Sequence, residues 1–310
     1  MAPAQAQPSR AARLPLSRVF APVFGANSTM AAIAAMAATA VCTAMTACAG
    51  LASAWAGERV IPLNALRSGI DFAGRDVRAL QADTAANPAQ LWIERGRQLW
   101  QDRGPTPGSS GATAGTAMHQ GPGRSCQDCH AEPQRMQGVA ASFPKLHAAT
   151  GRLFNLEDQI RHCRAERQAQ PPPAYESDDL LGLTLLVTQA SVSLPLRTAL
   201  TPALEPHWRA GEAIFLRRQG QLNLACGHCH DRHWGQRLYT DALSQGHPNG
   251  HPVYRLEWQK PGSLERRLRS CFFGVRAEIP PWGDLGMRQL SLYLKWRAEG
   301  LPIEVPAVRK

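Results

Sequence analysis

Two five-residue stretches constrain this chain more than anything else in it. Cys126, Cys129 and His130 stand in one, Cys226, Cys229 and His230 in the other, and both read C-x-x-C-H. That spacing is the attachment signature of c-type haem: two thiols add across the vinyl groups and the adjacent histidine becomes the proximal iron ligand. A zinc or thiol-redox motif is the competing reading of a single copy. Two copies behind an export signal point instead to two haem c groups, covalently attached.

The export signal occupies the N-terminus. Arg10, Arg13 and Arg18 form a basic region with no acid before Glu58, and an Ala/Met/Val-rich run follows over about 30–54. Ala54, Trp55 and Ala56 make a small-x-small processing site, so residues 1–56 read as a signal peptide cut between Ala56 and Gly57. The competing readings are a transmembrane anchor, disfavoured by the weakness of an alanine-rich run, and lipoprotein processing at Cys48. No second apolar run of spanning length follows, so the mature chain is expected in the periplasm without a stable membrane span. Net charge is +10, and 10 − 3 = +7 once the leader arginines depart. In an exported haem protein that balance suits an anionic small substrate or an acidic partner rather than nucleic acid.

Cysteine arithmetic goes further. Cys42 and Cys48 leave with the leader and the motifs take four of the 8 cysteines, which leaves Cys163 and Cys271. Two spare cysteines in an oxidising compartment ordinarily read as a disulfide. Here they fall 33 and 41 residues after His130 and His230, one per motif, where a c-type domain presents its second axial ligand. Met118, Met136 and Met287 compete for that role, as do His162, His247 and His251. Met118 precedes its motif and Met136 barely follows it, whereas Met287 is a serious candidate for the second iron. Recurrence of cysteine at equivalent places of a repeat favours Cys163 and Cys271.

The repeat itself sets the fold class. A helix is expected over 89–102, where Leu91, Trp92, Gly96, Leu99 and Trp100 fall mostly at helical spacing, and its counterpart over 206–218 carries Trp208, Gly211 and Phe215. The polar stretch 57–87 predicts short helices and irregular packing, and 104–123 a Gly/Ser-rich surface loop. Further helices are expected over 153–167, 178–190 and 263–271, with an amphipathic final helix over 283–299. Arg161, Cys163 and Glu166, then three prolines and a Leu-rich helix, parallel Arg269, Cys271, Arg276 and Glu278, then two prolines and another such helix. The expected fold is therefore all-α: two tandem cytochrome c-like domains, 57–196 and 197–310, each enclosing one haem that supplies much of its apolar core.

Taken together, the leader, the two motifs, the Arg-x-Cys context of Cys163 and the run Arg267 to Cys271 resemble the SoxA family, the dihaem subunits of periplasmic SoxAX cytochromes of thiosulfate oxidation. The resemblance covers essentially the whole mature chain; only the long Gly/Ser-rich loop departs from it. It implies His/Cys ligation of both irons, His130 with Cys163 and His230 with Cys271, and a persulfide on Cys271. It also implies an L-cysteine S-thiosulfotransferase activity, in which thiosulfate is joined to a cysteine of a SoxYZ carrier protein. Electrons would leave through a SoxX-like monohaem cytochrome c to a soluble cytochrome c acceptor. Thiolate ligation lowers an iron's reduction potential, and nearby arginines help keep a cysteine ionised. Among Arg266, Arg267 and Arg269, Arg267 lies four residues before Cys271 and shares its helical face. Its planar donor fork suits an oxyanion, so Cys271 and Arg267 form the expected catalytic pair. The alternative is a plain dihaem electron-transfer cytochrome, with Met287 or a loop histidine on the second iron and the cysteines inert. A dihaem peroxidase would need an open iron, which two thiolate ligands argue against.

Overall fold

The computed structural model describes residues 59–104 and 123–310. The leader with Cys42, Cys48 and the expected cut after Ala56, together with Met118 and nearly all of the 104–123 loop, lies outside the described residues. Residues 59–310 form one compact unit.

Polar sequence near the start of the described chain gives 3-10 turns at Leu63–Ala65 and Gly69–Phe72, then a short helix α1 (Arg75–Ala82). Helix α2 (Gln90–Gln101) buries Ile93, Gly96, Leu99 and Trp100, a single stripe at helical spacing. It crosses α5 (Asp178–Gln189) so closely that a Cβ on Gly96 would overlap the carbonyl of Gly182. Helix α6 (Glu205–Leu216) buries Trp208, Gly211 and Phe215. It crosses α9 (Leu285–Arg297) in the same way, with Gly211 against the carbonyl of Gln289. Each crossing carries a short motif helix, α3 (Cys126–His130) or α7 (Cys226–His230), and a cysteine-bearing helix, α4 (Leu156–Gln168) or α8 (Leu264–Gly274).

The correspondence is metric. Phe143, Pro144, Leu156, Glu157, Arg161 and Cys163 recur 108 residues later as His251, Pro252, Leu264, Glu265, Arg269 and Cys271. Tyr175, Thr184 and Thr188 recur 107 residues later as Trp282, Ser291 and Lys295. Several of these counterparts meet. The rings of Tyr175 and Trp282 stack with centroids 6.3 Å apart, and each is covered on its outer face by its own arginine, Arg161 or Arg269, at 4.2 Å. Apolar side chains gather into two main clusters, one around Ile93, Trp100, Phe143 and Leu185, the other around Trp208, Phe215, Leu290 and Trp296.

The fold is mostly helical, which corrects the all-α expectation in detail. Strands β1 (Lys145–Leu146) and β2 (Leu153–Phe154) pair, as do β3 (Arg237–Leu238) and β4 (Asp241–Ala242). A mixed sheet joins β5 (Val253–Arg255) to β6 (Lys260–Gly262) and, in parallel, to β7 (Ala307–Arg309). Helix α4 accordingly starts at Leu156 rather than 153, because Asn155 caps it, its Oδ1 accepting from the Asp158 N–H at 2.7 Å. Helix α8 continues past Cys271 to Gly274. The final helix is not amphipathic: beyond its first turn Arg288, Lys295 and Arg297 are buried along with Leu290, Leu292 and Leu294. Their charges made that helix read as half solvent-facing, whereas each is turned inward onto a partner. No described helix is long and apolar enough to cross a membrane.

Candidate active site

At the first motif, Ser125 caps α3. Its Oγ accepts from the Asp128 N–H at 3.1 Å while its own N–H donates to Asp128 Oδ2 at 2.8 Å. That backbone bond, together with Arg103 at 2.6 Å, holds the Asp128 carboxyl below its ordinary range. Trp100 donates from Nε1 to the Ala131 carbonyl at 2.7 Å and lies with its ring centroid 6.0 Å from that of the exposed His130. Cys163, half-buried on α4, accepts from Gln159 Nε2 at 3.2 Å. Cys126 accepts from Gln168 Nε2 at 3.4 Å, and burial pushes its thiol up, with a smaller push from Cys163 nearby. The structure thus brings Cys163 to its motif. His162 instead packs against His147, with centroids 4.5 Å apart.

The second motif is more enclosed. His230 donates from Nδ1 to the Ser244 carbonyl at 2.8 Å, which leaves Nε2 with its lone pair free for iron. Gly246, at φ 74°, lies against that ring, where a Cβ would stand 3.0 Å from Cγ and Nδ1. Behind it Asp231 pairs with the buried Arg297, which also donates to the Gln245 carbonyl at 3.1 Å and covers Phe215 at 4.3 Å. Burial pushes the Cys226 thiol up to about 12, and the Cys229 thiol upward too; Cys271 is the second cause in both. Three sulfurs therefore converge, two from α7 and one from α8. His247, bonded through Nε2 to Gln245 Oε1 at 3.0 Å, belongs to the loop that holds the Nδ1 side of His230, so it does not face the ring from the opposite side. Met287 is buried among the aromatic residues of the second cluster.

Geometry also separates the three arginines. Arg266 lies over Trp258 at 4.2 Å and reaches Glu176 at 3.8 Å. Arg269 covers Trp282. Arg267 has no side-chain hydrogen bond or ion pair among the described residues. Its charge acts on His230, His251 and Arg255, lowering the pKa of each, with burial the larger cause in every case. Arg269 likewise makes no side-chain hydrogen bond or ion pair among the described residues, its buried Nη1 lacking a partner, so what sets Arg267 apart is its place one turn before Cys271 on α8.

His230 with its Nδ1 engaged by Ser244, the glycine beside its ring and the neighbouring cysteines all fit a c-type haem at the second motif. The first motif supplies the same donor set in a more open setting. A family model described as the SoxA/TsdA cytochrome c domain matches residues 114–196. An L-cysteine S-thiosulfotransferase subunit SoxA from Pseudaminobacter salicylatoxidans is 34% identical over 78% of this chain and 80% of its own length. The chain belongs to the SoxA family. A second SoxA subunit, from Rhodovulum sulfidophilum, is 31% identical over 79% of this chain and 80% of its own length. Within the same family, a crystal structure of SoxXA from P. pantotrophus superposes with a TM-score of 0.72 at 29% identity, covering 79% of this chain and 87% of the matched one. Sequence reasoning missed the Asp231–Arg297 pair and the Ser244–Gly246 loop. Neither carries a sequence signal, since the members of the pair lie 66 residues apart and the loop holds no motif.

Proposed function

We propose that this SoxA-family chain is a periplasmic L-cysteine S-thiosulfotransferase carrying two covalent haem c groups, one in each of the domains 57–196 and 197–310. His130 with Cys163 and His230 with Cys271 hold the irons, and Cys126, Cys129, Cys226 and Cys229 form the thioethers. The observation that carries the reading is the convergence of Cys271 on Cys226 and Cys229, with Arg267 one helical turn before it and unengaged.

Thiosulfate is the substrate and a SoxYZ-like carrier supplies the acceptor cysteine. A sulfur–sulfur bond forms between the carrier Sγ and the outer sulfur of thiosulfate. The carrier thiol loses one proton and the pair loses two electrons, giving an S-thiosulfonate. A bound haem would supply the acceptor for those electrons, with a SoxX-like monohaem cytochrome c and a soluble cytochrome c as the onward carriers. Cys271 acts first: its thiolate and the outer sulfur of thiosulfate form a sulfur–sulfur bond as the two electrons leave, and the carrier thiolate then attacks that outer sulfur, breaking the bond and releasing the Cys271 thiolate. Arg267 orients the oxyanion through two parallel N–H donors. His230 is kept in one tautomer by Ser244, and the Cys271 side chain, half-buried on α8, remains within reach of a carrier arm.

Electron paramagnetic resonance of the ferric protein tests the ligand set. Two low-spin His/thiolate signals are expected, with one changed in Cys163→Ala. Unchanged signals from both haems in that variant would return the chain to the plain electron carrier.

A further inference from the structure

A cavity of about 100 Å³ lies between the two halves of the repeat, and no motif residue lines it. Its walls are built largely from counterparts. Glu157 and Glu265 enter from the first turns of α4 and α8, Thr184 and Ser291 from α5 and α9, and Lys295 from α9. His251 adds a ring whose Nδ1 and Nε2 are both buried and without a partner among the described residues. A buried polar group with no partner costs roughly 1–3 kcal/mol. The walls are mixed, with Phe143, Leu156, Leu264 and Ile303 beside the polar side chains, and the space is large enough for water to take up the unpartnered groups. No three His, Cys, Asp or Glu side chains among the described residues are grouped to hold a bare metal ion.

The charged groups facing the cavity explain what it can bind. Glu157 faces Asp158, Glu176 and Glu265, all acidic, and burial pushes its carboxyl up to about 8. Glu265 accepts from the Gly283 N–H at 2.7 Å and faces Arg288, Asp158 and Arg269; burial raises it to about 7. Lys295 donates to the Ala141 carbonyl, has Glu299 and Lys145 as charged neighbours, and is lowered by burial to about 7. His251 faces Arg309, Arg267 and Arg255 and is held neutral, at about 3, by burial above all.

We propose that this cavity is a redox-linked proton site, in which the Glu157, Glu265 and Lys295 cluster binds a proton from solvent when an iron is reduced and returns it on reoxidation. Glu157 precedes Cys163 by six residues, as Glu265 precedes Cys271, about 9 Å along each helix axis. One electron arriving at an iron adds one negative charge, and a low-dielectric interior screens that charge poorly. The proton affinity of both carboxylates therefore rises with reduction. Thiosulfate conjugation supplies the electrons and also releases a proton, so charge and proton meet in one interior. The inference rests on the two-haem reading, which haem counting on every preparation checks separately.

The test is a potentiometric titration of the haem-loaded protein from about pH 5 to about pH 9, read in the visible haem spectrum. The potential of at least one haem should fall with rising pH around neutrality, and Glu157→Gln and Glu265→Gln should each flatten that slope. Should a variant fail to load haem, proton uptake on reducing the wild-type protein in weak buffer gives the same answer without mutation. Uptake near neutrality supports the site. Potentials independent of pH, the full slope persisting in both variants, or reduction without proton uptake would each overturn it.

Discussion

Arg267 and Gly246 carry the sharpest residue-level consequences. Arg267→Lys keeps the charge but loses the planar fork. Losing one charge-assisted hydrogen bond costs about 1.5–3 kcal/mol, roughly tenfold to a hundredfold in rate. Steady-state thiosulfate-dependent haem reduction should fall by that factor in Arg267→Lys and hold in Arg266→Lys, since Arg266 is engaged by Trp258 and Glu176. Equal losses in both would remove Arg267 from its special role. Gly246→Ala places a Cβ against His230 in a left-handed backbone, a strain of about 1–3 kcal/mol. Its haem-to-protein ratio should drop, with the second motif emptying first. The motif residues were legible because their spacing is local. Arg297 was not, since its partner Asp231 lies 66 residues away and only packing brings them together.

At the scale of elements, the helices announced themselves through apolar stripes and caps. Helix α2 occupies almost the span its stripe predicts, and Ser263 opens α8 by accepting from the Arg266 N–H at 3.1 Å. Burial was less legible. Helix α9 carries charges at positions a stripe analysis assigns to solvent, yet Arg288 meets Asp158 and Arg297 meets Asp231 inside the protein. The short strands were invisible because two or three residues hold no readable alternation. The paired glycine crossings yield a prediction at this scale. Gly96→Ala and Gly211→Ala should each destabilise the haem-loaded protein by about 1–3 kcal/mol through overpacking, read as a lowered midpoint in chemical denaturation. A wild-type midpoint in both would mean that the helix backbones do not touch.

For the whole molecule, the buried junction between the two halves governs the pH dependence of stability. Asp158 from one half binds Arg288 of the other, and Tyr175 donates to Asp158 Oδ1 at 2.8 Å while accepting from Arg288 Nη2 at 3.1 Å. Beside it, Glu157 and Glu265 are raised by burial from 4.5 to about 8 and about 7. A carboxyl raised in the folded state contributes fully below its unfolded pKa, and that contribution is lost as pH climbs through the folded value. Lys295, lowered from 10.5 to about 7, acts in the opposite sense above that value. Stability should therefore decline most steeply between about pH 5 and about pH 7, and Glu157→Gln should shallow the decline in denaturation curves taken across that range. A flat profile would mean that these carboxyls stay solvated. The central claim, that Cys271 is the covalent site of thiosulfate transfer, is tested most directly by following haem reduction by thiosulfate in the Cys271→Ala protein, with the carrier and the monohaem partner present. The account predicts that reduction is abolished while the first haem keeps its spectrum; turnover at the wild-type rate would contradict it.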